Sequence, residues 1–256
     1  MVLCTKTDVG KKRIVNEDSV ASLLLSAQSY KKESNYGILV VADGMGGHDK
    51  GEVASDLATK KFIEEVAEAL FHASDDSRID FKKLLINAVD SANKEVWEIS
   101  KNSTNGIGTT LVAAVIINKY VYIVNVGDSR AYLIKPQKSI RQITKDHSAV
   151  QEMLDAKIIT EGQAKNHPRK NIITRALGLS EQIIPDIFEQ ELNDEILMLC
   201  TDGLYGMVDE KEIVMSVSAD LFNSADTLVS LANKHGGIDN ISLAQDTSRK
   251  TKGEVG

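Results

Sequence analysis

Aromatic side chains make up only 5% of this sequence, with one tryptophan, and it holds three prolines and two cysteines. So few rings disfavour a stacking platform for single-stranded nucleic acid. Cys4 and Cys200 are too few for a disulfide framework; both stand in apolar or strand-like surroundings, read as small buried hydrophobes and fit a reducing cytosol. No apolar run approaches the ~18 residues of a membrane helix. No apolar leader opens the chain, so a cytoplasmic protein without a signal peptide is expected. Basic clusters are also missing, and the net charge of −7 argues against nucleic acid or an anionic membrane as partner. There is no zinc-like Cys/His spacing, no Walker-type Gly-Lys-Ser/Thr loop and no Gly-x-Ser-x-Gly elbow. What remains is a chain of 256 residues, 42% of them hydrophobic, long enough to bury a substantial core in one domain or two.

The most informative stretch is Tyr36 to Gly51. An apolar run, Ile38 to Ala42, reads as a buried strand and ends in Asp43-Gly44. Asp-Gly is also a hairpin signal, but a helical pattern from Glu52 follows instead of a return strand. The device recurs where Ile196 to Thr201 leads into Asp202-Gly203. Two strand ends that each present a carboxylate point to a shared site.

Taken in order, residues 2 to 7 read as a strand, then comes a polar segment carrying Arg13, Glu17 and Asp18, then a strand at Ser19 to Leu25. Ser26 to Asn35 reads as a hairpin tip. Helical periodicity covers Glu52 to Leu70, with Val53, Ala54, Leu57, Ala58, Phe62, Val66 and Leu70 on one face, and Phe81 to Ile99, capped by Asp80. Both helices read as packing. Thr109 to Ile117 and Tyr120 to Val126 form a hairpin, broken at Gly127-Asp128-Ser129-Arg130; Ala131 to Ile134 and Ile140 to Ile143 follow, and strands this close are expected to pair antiparallel. Asp146 to Leu179 is a charged excursion of the kind that forms functional loops. Strands return at Ile184 to Leu192 and Glu195 to Thr201. Asp209 with Glu212 forms a capping box, Ala225 to His235 is the last helix and Ile241 to Ala244 the last strand. A polar tail follows from Thr247.

Asp18 and Asp239 stand at strand beginnings, and Asp43, Asp128 and Asp202 at strand ends. At one edge of a sandwich of antiparallel sheets such positions can face one another. Clustered carboxylates repel unless a cation compensates. An all-oxygen set points to magnesium or manganese. Two such ions sharing a water suit hydrolysis of a phosphate ester, with Arg13 as the partner of the phosphate. His48, His147 and His167 are candidate proton donors.

Thr7-Asp8-Val9-Gly10 to Arg13, Asn16-Glu17-Asp18, Ala42 to His48, Gly108-Thr109-Thr110, Val126 to Arg130, Asp146-His147-Ser148, His167-Pro168 through Gly178, Thr201 to Leu204, and Gly236-Gly237 with Asp239-Asn240 follow in one order over nearly the whole chain. In this ordered set the sequence resembles the bacterial-type metal-dependent Ser/Thr protein phosphatases of the protein phosphatase 2C family. The resemblance implies an α+β fold of two stacked antiparallel sheets flanked by helices. It implies that Asp43 bridges two Mn²⁺ or Mg²⁺ ions and Gly44 offers its carbonyl. Asp18, Asp202 and Asp239 match the other core metal positions, and Glu17 a residue that holds metal-bound water. Asp128, with Asp202, matches the ligand of a third, weaker ion, Arg13 the phosphate-binding arginine, and residues 146–178 a mobile flap. Met45 stands where animal members have a histidine thought to be the general acid, which leaves a metal-bound water as the first choice of proton donor. The flap also lacks a glycine usual near Lys157. The expectation is one domain over residues 1–246, with a tail at 247–256. It would be a monomeric phosphoprotein phosphatase attacking with a metal-activated water, its substrates including a Ser/Thr kinase or its targets. The alternatives are a small phosphate-ester hydrolase and a catalytically silent phosphoprotein-binding module.

Overall fold

A computed structural model describes residues 1–29, 32–46, 50–73, 79–103, 106–164 and 167–247. Two antiparallel sheets lie face to face. One runs β1 (Val2–Asp8), β11 (Ile241–Thr247), β10 (Ile196–Cys200), β7 (Arg130–Lys135), β8 (Ser139–Gln142). The other runs β2 (Asp18–Ser29), β3 (Lys32–Gly46), β5 (Leu111–Ile117), β6 (Tyr120–Val126), β9 (Asp186–Glu191), with β4 (Ile107–Thr109) paired to the end of β3. Helices α1 (Gly51–His72) and α2 (Phe81–Ser100) cover the second sheet; α5 (Asp202–Tyr205), α6 (Glu210–Ser216) and α7 (Leu221–Lys234) cover the first. Two short helices, α3 (Ala149–Asp155) and α4 (Glu161–Ala164), belong to the excursion between β8 and β9.

The period of two along a strand explains the continuous apolar runs. In β3, Ile38 and Val40 face α1 and α2, while Leu39 and Val41 face the other sheet. In β10, Ile196, Met198 and Cys200 face α6 and α7, while Leu197 and Leu199 face inward. Each such side chain contributes about 1.5–3 kcal/mol on burial, so both faces of the central strands are sealed and only strand ends are left for chemistry.

Several sequence expectations are corrected. β2 and β3 pair as far as Ser29 and Lys32, so Ser26 to Asn35 is mostly strand, with a Ser26–Asn35 side-chain bond of 2.6 Å; the tip itself lies outside the described residues. β3 does not stop at Asp43-Gly44 but continues to Gly46, because Gly44, Met45 and Gly46 find partners in Thr109, Gly108 and Ile107. Val53 is exposed, and the buried stripe of α1 includes Ser55 and Thr59 instead. β6 and β7 do not pair, although they are consecutive: residues 127–129 carry the chain from one sheet to the other. α7 starts four residues earlier than the periodicity suggests, because Asp220 accepts from the Asn223 N–H and caps it. β11 extends through Thr247, buried along its whole length, so Thr247 belongs to the strand, and residues 248–256 lie outside the described residues.

Candidate active site

The register of β2 and β3 places Asp18 directly opposite Asp43. Gly44 follows, its N–H donating to the Glu17 carbonyl at 3.0 Å. A Cβ on Gly44 would lie 2.1 Å from the Gly51 carbonyl oxygen and 2.5 Å from that of Glu17, so only glycine lets β3, the Glu17 backbone and the start of α1 meet. Asp43 is fixed through its backbone: its N–H donates to Thr110 Oγ1 at 2.9 Å, and its carbonyl accepts from the Thr110 N–H and the Thr109 hydroxyl, each at 2.9 Å.

Asp202 opens α5 at the end of β10. The preceding residue, Thr201, donates its hydroxyl to Asp18 Oδ2 at 3.0 Å while accepting from the Ser242 N–H at 3.1 Å, which ties the two sheets together under the carboxylates. Asp239 precedes β11. Arg13 reaches it through Nε and Nη2, both at 2.9 Å, and approaches Glu17 at 3.6 Å. Asn240 is 3% exposed and joins three segments: Oδ1 accepts from the Glu17 N–H at 2.8 Å, and Nδ2 donates to the Val9 and Val15 carbonyls at 3.0 Å. Asp128 sits at the corner between the sheets, where the Ser129 hydroxyl meets Thr110 Oγ1 at 2.7 Å.

The electrostatics agree with one shared site. Burial, reinforced by the neighbouring aspartates, raises Asp18 and Asp128 to about 7 and Asp202 to about 6, and holds Asp43 well above the ordinary carboxylate range. Burial also raises Glu17, against the pull of Arg13. Arg13 is raised, first by its bonds to Asp239. Among the described residues no three carboxylates stand in a ligating arrangement around one point; Asp239 is engaged by Arg13 and Asp18 by Thr201. The donor set nonetheless fits a hard divalent cation. It is all oxygen, buried and mutually repelling, and the backbone closes tightly around Gly44.

Arg13, Glu17, Asp18, Asp43, Gly44, Asp128, Asp202 and Asp239 thus come to the same end of the sandwich. The described histidines do not form part of this set. His147 is buried with both ring nitrogens engaged: Nδ1 accepts from the Gly127 N–H at 3.1 Å, and Nε2 lies 3.3 Å from Asp186. Nδ1 of His167 accepts from the Arg169 N–H in a local turn. His48 lies outside the described residues. Sequence reasoning gave no role to Asn240, Thr201 or Thr110; polar residues next to the acids, in otherwise apolar runs, were the available signal. It also missed two polar residues on the helices. Ser55 donates to the Glu17 carbonyl at 2.6 Å, and Asn93 Oδ1 accepts from the Gly178 N–H at 2.9 Å, holding the end of the excursion against α2.

The sequence pattern of the protein phosphatase 2C family matches residues 11–234. The serine/threonine phosphatase stp of Listeria monocytogenes is 38% identical over 245 residues, covering 93% of this chain and 92% of that protein. The protein phosphatase PhpP of Streptococcus pneumoniae is 34% identical over 249 residues, covering 95% and 96%. Among solved structures, a bacterial serine phosphatase superposes with a TM-score of 0.83 at 32% identity over 99% of this chain and 100% of that one. The Mycobacterium tuberculosis serine/threonine phosphatase PstP/Ppp gives a TM-score of 0.80 at 32% identity over 97% and 99%.

Proposed function

The chain belongs to the protein phosphatase 2C family and is a serine/threonine phosphatase, and from that premise we propose that it hydrolyses phosphoserine and phosphothreonine in proteins by direct attack of water, with no phosphoenzyme. Asp18, Asp43, Asp202, Asp239 and the Gly44 carbonyl would hold two Mn²⁺ or Mg²⁺ ions, with Asp128 and Asp202 holding a third. Bound there, such ions would supply an acidified water and Lewis-acid stabilisation of the phosphoryl oxygens. The observation that carries this reading is the Asp18–Asp43 pair across the β2–β3 register, flanked by Asp239 and by Asp128 and Asp202, whose proton affinities, like those of the pair, are raised by burial and by neighbouring aspartates.

The chain's own groups do the rest. Arg13 stands at the rim with its side chain half exposed, where a guanidinium can meet phosphate oxygens in a bidentate way. Glu17 lies beside it, also pinned by Arg13, and orients water at the inner edge. His147 has both ring nitrogens engaged, and the proton for the leaving serine or threonine oxygen would come from water. Residues 146–178 form the flap beside this centre, within a single domain over 1–246. The substrates are phosphoproteins, a Ser/Thr kinase or its targets among them, met in the cytoplasm by a monomer. Neither a small-ester hydrolase nor a silent binding module finds support among the relatives.

The test is release of phosphate from a phosphothreonine peptide with Mn²⁺, with Mg²⁺ and with excess chelator. Activity that needs either ion and vanishes with the chelator is expected. Undiminished hydrolysis after chelation would exclude the cation centre, and turnover of small esters alone would exclude phosphoprotein substrates.

A further inference from the structure

Arg130 is the first residue of β7, two positions after Asp128, and nothing in the reaction above uses it. Its side chain is 25% exposed. Nε donates to both Asp146 oxygens at 2.9 and 3.2 Å, Nη2 donates to Asp146 Oδ2 at 2.7 Å, and Nη1 donates to the Tyr132 hydroxyl at 3.1 Å. The guanidinium also lies over the ring of Tyr205, 3.8 Å from its centre. These contacts end on separate parts of the site. Asp146 opens the flap. Tyr205 ends α5, the helix that Asp202 begins, and its hydroxyl donates to the backbone carbonyl of Asp128 at 3.0 Å.

The next residue tightens the same joint. The His147 N–H donates to the Gly127 carbonyl at 2.9 Å, while its ring accepts from the Gly127 N–H. Gly127 has a φ of +109°, and a Cβ there would lie 2.6 Å from Thr110, so only glycine lets the corner pack this closely against the residue that precedes β5. Flap root, sheet-crossing corner and α5 are therefore bonded to one another, with a planar, always-charged group at the centre. A buried ion pair is weak evidence for stability alone, but a fork with five donors specifies geometry well.

We propose that Arg130 is a positioning residue: through Asp146 and Tyr205 it locks the flap root to the backbone that carries Asp128 and Asp202. Displacing the flap then loosens the cation site these two carboxylates form, and filling that site steadies the flap, because such coupling is reciprocal. The inference rests on the reading of Asp128 and Asp202 as a shared cation site.

The experiment compares wild type with Arg130→Lys and Tyr205→Phe. A lysine can meet Asp146 at one point but cannot make the fork. Phenylalanine keeps the ring under the guanidinium and removes only the bond to Asp128. Calorimetric Mn²⁺ titration is read against Asp128→Ala, which identifies the step that depends on Asp128. Hydrogen exchange is followed over residues 146–164 with and without Mn²⁺. Arg130→Lys should weaken the Asp128-dependent step by about tenfold or more, leave the tighter steps within about twofold, and speed exchange at the flap root even without Mn²⁺. Tyr205→Phe, losing one hydrogen bond, should weaken that step by about two- to tenfold. A merely structural Arg130 would lower the melting temperature while leaving the Asp128-dependent step unchanged, and that result overturns the proposal. If wild type shows no Asp128-dependent step, the cation reading fails, and exchange without Mn²⁺ decides: unchanged exchange at the flap root in Arg130→Lys rejects the lock as well.

Discussion

Arg13 holds Asp239 in a two-point grip, Nε to Oδ1 and Nη2 to Oδ2, each at 2.9 Å, across 226 residues of sequence. The same guanidinium that is suited to a phosphate is thus already bound to a residue assigned to the cations. Arg13→Ala should leave cation affinity at or slightly above wild type, since it frees Asp239. A charge-assisted bond is worth about 1.5–3 kcal/mol, and each 1.4 kcal/mol is about tenfold. The loss in kcat/KM should therefore be on the order of 10- to 150-fold, much of it in KM. Kinetics on one phosphopeptide with calorimetric Mn²⁺ titration checks both halves; abolished Mn²⁺ binding would mean that Arg13 organises the cation site itself.

Asp43→Asn should abolish turnover with the fold intact. Asp43 has four aspartates acting on it, and removing its charge relieves that repulsion. The melting temperature in chelator should stay equal or rise, while the rise produced by Mn²⁺ shrinks. A large fall in chelator would instead give Asp43 a structural role.

The cluster also predicts a pH dependence. Asp18 and Asp128 titrate near 7 and Asp202 near 6 in the folded protein, against an ordinary value of 3.8. Their folded values are raised, so between about pH 4 and 7 the folded protein binds more protons than the unfolded chain, and their contribution to stability is lost as pH rises. Denaturant midpoints in chelator should be lower at pH 7.5 than at pH 5, with the difference reduced in Asp43→Asn. A midpoint that rises across this window in wild type but not in the variant would contradict the crowding.

Asp128→Ala should keep the tighter cations and lower kcat with KM little changed, because a weakly held ion matters mainly during turnover. Full activity in this variant at saturating Mn²⁺ would remove Asp128 from the reaction.

Asn240→Ala leaves the Glu17 N–H and the Val9 and Val15 carbonyls without a partner. A buried polar group left unsatisfied costs about 1–3 kcal/mol. The variant should melt well below wild type and also bind Mn²⁺ more weakly, since the Glu17 backbone loses its tie to the residue that follows Asp239. An unchanged melting temperature would show that water replaces all three bonds.

The acids were legible in the sequence because they interrupt apolar runs, and an apolar run that stops at Asp-Gly advertises a strand end. The sandwich was legible for the same reason, with β3, β5 and β10 written as runs apolar on both faces. What was not legible depends on pairing across sequence distance. Nothing local shows that Gly44 to Gly46 will find β4, or that the corner at Asp128 changes sheets. The support residues were hidden because a lone Thr201 or Asn240 looks the same whether it bonds water or three distant backbones. Asn93 was masked by the helical stripe it belongs to.

β11 is the last strand among the described residues, yet it lies between β1 and β10 and is preceded by Asp239. The first sheet therefore cannot close until residues 241–247 have emerged, and β1 has no sheet partner before then. Long-range pairings of this kind fold slowly, and chains grow at about 5–20 residues per second. Arg13 and the aspartate it grips are made 226 residues apart. A chain that stops short of residues 241–247 thus holds no assembled centre.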